Sequence, residues 1–85
     1  MRLTQSVRQQ LLDQNEGFET TTHYSAKNIT ETRRYSISGG QLHIRSTGKT
    51  SWAASHFDDE RVADEEEVRR FLRNHLNVLN TDGLD

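Results

Sequence analysis

Eighty-five residues with 31% hydrophobic and 28% charged side chains, no Cys and no Pro make one domain, well below the ~250 residues at which cores divide. The absence of Cys excludes disulfides, thiolate nucleophiles and Cys-ligated zinc, and no apolar run approaches the roughly 18 residues of a membrane-spanning helix. The formal net charge of −2 is too small to hold the chain unfolded, although Leu, Ile, Val and Phe together supply only 18 residues of core.

That mean charge hides an asymmetry. Residues 1–57 hold seven Lys and Arg against four Asp and Glu, and residues 58–85 hold four Arg against nine acids. Nine of the eleven basic residues are Arg, which makes the bidentate and stacked contacts typical of interaction surfaces. The N-terminus has no signal-peptide apolar stretch, so the expected location is cytoplasmic.

In chain order, Thr4 to Gly17 reads as a helix: Thr4 is the N-cap, Leu3, Val7 and Leu11 recur every four residues beside Leu12, and Gly17 supplies the left-handed stop. From Phe18 the period becomes two. Phe18, Thr20, Thr22, Tyr24 and Ala26 share one face of a strand, and Glu19, Thr21, His23, Ser25 and Lys27 the other. After a turn at Lys27-Asn28, Ile29, Glu31, Arg33, Tyr35 and Ile37 face inward while Thr30, Thr32, Arg34 and Ser36 face outward.

Gly39-Gly40 between alternating runs predicts a two-residue hairpin with both glycines at positive φ. Leu42 and Ile44 then point inward and His43 and Arg45 outward. Thr47-Gly48-Lys49-Thr50 reads as a second turn, and residues 51–57 as a short fourth strand or a loop carrying Trp52, which is expected to pack against Phe71 or Leu72. The acid run Asp58 to Glu60 reads as a solvated loop. The last element is a helix: Asp64 and Glu67 form a capping box, and Val68, Phe71, Leu72, His75, Leu76 and Leu79 make an apolar stripe. Residues 1–80 are therefore expected to form a single α+β domain, with an N-terminal helix, an antiparallel meander of three to four strands and a C-terminal helix. Both helices lie on one face of the sheet, and residues 81–85 form a frayed tail.

Each candidate for chemistry has a plainer explanation. Gly48-Lys49-Thr50 matches the end of a phosphate-binding loop, but the position five before Gly48 is His43 where the motif needs Gly. His56 beside Asp58, Asp59 and Glu60 offers metal-ligand chemistry without recognisable ligand spacing, so no metal or cofactor is expected. His23, His43 and His56 would need to meet on the sheet to act as the acid–base pair of a metal-independent RNase. The outward set His23, Arg34, His43, Arg45 and Lys49, with its threonines, makes a candidate binding face.

The element order is similar in topology to double-stranded-RNA-binding domains. Their second helix, however, starts with lysines that grip phosphate, and this one starts Asp64-Glu65-Glu66-Glu67. The favoured expectation is a small non-catalytic module that binds a protein, as an adaptor, inhibitor or regulatory accessory protein. The alternatives are nucleic-acid binding through the basic sheet face and the His-based RNase.

Overall fold

A computed structural model describes residues 2–50 and 55–84. The expected α+β architecture is the observed one: α1 (Gln5–Gln14), β1 (Glu19–Ala26), β2 (Ile29–Ser38), β3 (Gln41–Thr50), β4 (Ser55–Val62) and α2 (Glu65–His75). The strands form one antiparallel sheet in the order β1-β2-β3-β4.

The helix ends follow the local chemistry. Thr4 Oγ1 accepts from the Val7 N–H at 3.3 Å, satisfying one of the four orphan donors at the start of α1. Asp64 and Glu67 form the reciprocal capping box, with Glu67 N–H donating to Asp64 at 2.9 Å and Asp64 N–H to Glu67 at 3.1 Å. Between β2 and β3, Gly39 and Gly40 both have positive φ, 62° and 73°. That is the mirror-image turn whose twist matches a tight hairpin.

Leu11 and Leu12 of α1, Phe71 and Leu72 of α2, Ile37 of β2, Leu42 of β3 and Leu79 form a single buried cluster. Register puts Ile37 opposite Leu42 on one side of the sheet, so both helices cover that side. The helical stripe outlasts the helix: α2 ends at His75, and a turn closed by bonds from Val78 and Leu79 N–H to the His75 carbonyl still delivers Leu79 to the core. Leu84 also packs against this cluster.

The helices cover only part of the sheet. Ten- and eleven-residue helices are about 15–17 Å long, whereas the ten-residue strands β2 and β3 reach about 33 Å. The molecule is accordingly elongated, 49 × 22 × 19 Å, with a radius of gyration of 14.8 Å against about 12 Å for a compact chain of this length. The helices sit at the hairpin end, where Gln9 of α1 donates to the Gly40 carbonyl and Glu16 accepts from the Gly39 N–H. The opposite half of the sheet projects beyond them, leaving Tyr24 61% exposed.

Two expectations are corrected here. Residues Thr47–Thr50 are not a turn: β3 runs through them, and Gly48 sits between Glu31 and Phe57 in the ladder. A Cβ on Gly48 would lie 2.1 Å from the Thr30 carbonyl oxygen and 2.7 Å from the Phe57 ring. Glycine is needed there for close approach and not for turning. The acid run is likewise not a loop, because Asp58, Asp59 and Glu60 lie within β4 and pair with Thr47, Ser46 and Arg45. The fourth strand thus exists but occupies residues 55–62. Trp52 lies outside the described residues.

Candidate functional site

Strand register settles which side chains share the uncovered side of the sheet. Each row holds one residue from each strand: Glu19, Ser36, His43 and Val62; then Thr21, Arg34, Arg45 and Glu60. Next come His23, Thr32, Thr47 and Asp58, and last Ser25, Thr30, Lys49 and His56. All five residues expected on this side, His23, Arg34, His43, Arg45 and Lys49, are placed there.

Arg34 and Arg45 face each other directly across β2 and β3, a like-charge pair that would repel if left alone. Each is drawn off along a different diagonal. Arg34 reaches to Glu19 on β1 at 2.7 Å. Arg45 reaches the other way to both carboxylate oxygens of Asp58 on β4, at 3.0 and 2.7 Å. The bidentate bond holds the Asp58 carboxyl below the ordinary carboxylate range and raises the Arg45 guanidinium. Glu60 stands opposite Arg45 and adds a further negative charge.

The face is therefore balanced, with Arg34, Arg45 and Lys49 against Glu19, Asp58 and Glu60. Glu19 was legible from its parity with His23. The β4 acids could not be placed on this face while their segment read as a loop.

The histidines do not converge. His23 Nδ1 lies 3.2 Å from Thr32 Oγ1, and the His43 Nε2–H donates to the Ser38 carbonyl at 3.2 Å. With strands about 4.8 Å apart and a rise of about 3.4 Å per residue, two strands and two rows put His23 and His43 roughly 17 Å from each other. His56 stands on the other edge strand in the farthest row. No two of the three share a phosphate-sized gap. Among the described residues no group of three His, Asp or Glu is placed to hold a metal ion.

A second feature lies on the helix side, where sequence reasoning placed only core. Between β1–β2 and α2 is a cleft of about 150 Å³ lined by Thr22, Arg33, Tyr35, Arg70, Phe71 and His75, among others. Its floor is aromatic: Tyr35 stacks on Phe71 with centroids 5.1 Å apart, and Phe71 on His75 at 4.3 Å. The His75 Nδ1–H is committed to the Phe71 carbonyl at 2.8 Å. Glu31 holds Arg33 at 2.6 Å, whereas Arg70 at the rim makes no ion pair among the described residues. The lining comes from β1, β2, β3 and α2, segments far apart in sequence, so no local motif announces the cleft.

Among the described residues no helix is long and apolar enough to cross a membrane. Comparison of the chain with protein-family models, with curated proteins and with solved structures finds no match.

Proposed function

We propose that this chain is a non-catalytic protein-binding module, an adaptor, inhibitor or regulatory accessory protein, that docks its partner on the open face of the sheet. The observation that carries this reading is the cross-strand ladder Glu19–Arg34 and Arg45–Asp58. A polyanion laid on that face would have to displace two carboxylates from their arginines and then meet Glu60. Its gain would be offset by freshly exposed like charge. A protein surface carrying both signs exchanges partners with the ladder and keeps every charge paired, which favours specificity and register.

Capture from a host lysate with and without nuclease treatment tests the class of partner, and Arg34→Glu and Arg45→Glu test the face. A protein captured equally in both lysates, and lost with either variant while circular dichroism shows the fold retained, is the expected outcome. Capture that disappears on nuclease treatment, with affinity falling steeply as salt rises, would replace this reading with nucleic-acid binding. Undiminished capture by both variants would show that the open face is only solvated surface.

A further inference from the structure

Among the described residues the sheet has two edge strands, β1 and β4, and they are built differently. Exposed strand edges invite pairing with another chain, and natural proteins guard them with charge. β4 carries Asp58, Asp59, Glu60 and Arg61 along its middle. β1 carries no Asp, Glu, Lys, Arg or Pro between Thr20 and Ala26, and every residue from Thr21 to Ala26 is exposed. Its outward backbone groups can be assigned. The Ile37 N–H donates to the Phe18 carbonyl at 2.9 Å, so in the alternation of an antiparallel ladder Thr20, Thr22, Tyr24 and Ala26 bond to β2. Glu19, Thr21, His23 and Ser25 then turn their N–H and C=O groups away from the sheet.

We propose that β1 pairs antiparallel with β1 of a second copy, forming a two-fold dimer with a continuous eight-stranded sheet. Charge selects this partner. β1 begins with Glu19 and is followed at once by Lys27, so antiparallel self-pairing centred on His23 sets each Glu19 opposite the partner's Lys27. The same operation on β4 would bring its acid run against itself. Pairing β1 with β4 of a second copy offers the acids no cation on the facing strand, and head-to-tail it would propagate rather than close.

Shape supports the same arrangement. A two-fold axis normal to the sheet leaves the helices of both copies on one side, with the projecting half of each copy beside the helices of the other. Tyr24 lies on that side, 61% exposed, and in this register it faces Thr22 of the partner. Thr22 is the β1 residue that lines the aromatic cleft. A cavity near 150 Å³ takes a benzene-sized ring, so each Tyr24 ring enters the other copy's cleft against Tyr35 and His75. Arg70 is then available to its π face. The dimer uses the edge and the helix side and meets the open face only at its margin, where Glu19 also serves Arg34. Its test reads oligomeric state rather than partner capture, so the two proposals can fail separately.

Sedimentation of the intact chain over a concentration series up to roughly 100 μM, within reach of a modest interface, tests the proposal. A dimer is expected. Thr21→Pro removes an outward N–H that β2 does not use, a change edge strands tolerate, and should leave a folded monomer. Tyr24→Ala should weaken association at least about tenfold while retaining the strand contact. Amide exchange of the wild type gives a readout free of any folding defect in the variants: Thr21, His23 and Ser25 should become protected as concentration rises. A wild-type monomer throughout, a dimer indifferent to Thr21→Pro, or β1 amides that exchange freely in the dimer would each overturn it.

Discussion

Asn15, at the end of α1, grips both backbone polar groups of Asn80, 65 residues away. Its Oδ1 accepts from the Asn80 N–H at 2.8 Å and its Nδ2 donates to the Asn80 carbonyl at 3.0 Å. The same amide nitrogen caps α1 through the Leu11 carbonyl at 2.8 Å. One buried side chain thus finishes the first helix and anchors the chain that leaves the second.

Asn15→Ala should therefore cost more than an ordinary cap. It leaves the part-buried Asn80 N–H without its acceptor, while the Leu11 carbonyl keeps the Asn15 backbone N–H at 3.1 Å and the Asn80 carbonyl keeps Gln14 Nε2 at 3.2 Å. About 1–2 kcal/mol of stability should be lost. Urea unfolding should show a lower midpoint with an unchanged slope, and the Asn80 amide should exchange faster. Asn15→Asp keeps the acceptor for the Asn80 N–H but sets a carboxylate oxygen against the Leu11 and Asn80 carbonyls, and should be no more stable than Asn15→Ala.

Gly48→Ala should destabilise the domain by about 1–3 kcal/mol through overpacking, although its φ is not positive. The added methyl meets the Thr30 carbonyl, which the ladder cannot move, as well as the Phe57 ring. Gly17 is the control. Its φ of +87° carries the left-handed penalty, but a Cβ there meets nothing within 4 Å, so Gly17→Ala should cost only about 1 kcal/mol. Thermal melts of the two variants separate crowding from backbone conformation.

Glu67 couples the helix cap to the sheet. Besides accepting the Asp64 N–H it forms a bidentate pair with Arg61 of β4, and that guanidinium above all pulls its pKa down from 4.5 to about 2. A carboxyl depressed on folding stabilises the native state fully above its unfolded pKa, and the contribution is lost as pH falls from about 4.5 toward 2. Glu67→Gln preserves the capping geometry and removes the charge. At neutral pH it should be less stable by about 1 kcal/mol, a value already discounted for solvent screening. Denaturation from pH 7 down to pH 2 should show the gap narrowing steadily, and a gap independent of pH would mean that the Arg61 pair contributes nothing.

Much of this fold is written locally. Thr4, Asp64 with Glu67, and Gly39-Gly40 specify helix starts and a hairpin through bonds and dihedrals spanning four residues or fewer. The two-residue period assigns His23, Arg34, His43, Arg45 and Lys49 to one side of the sheet whatever else the chain does. Tertiary structure decided what that side is. Asp58 to Glu60 have low strand propensity, and they form β4 because pairing with β3 fills its hydrogen-bonding edge and seats Asp58 on Arg45. The surface that looked basic in strands β1 to β3 becomes charge-balanced once that fourth strand is added. Gly48 shows the same limit, since a turn and a crowded strand both call for glycine, and only the Thr30 carbonyl and the Phe57 ring tell them apart. Caps and alternation depend on neighbours in sequence. Strand pairing, charge balance and the Tyr35–Phe71 cleft depend on residues that meet only after the chain has closed loops of ten to forty residues.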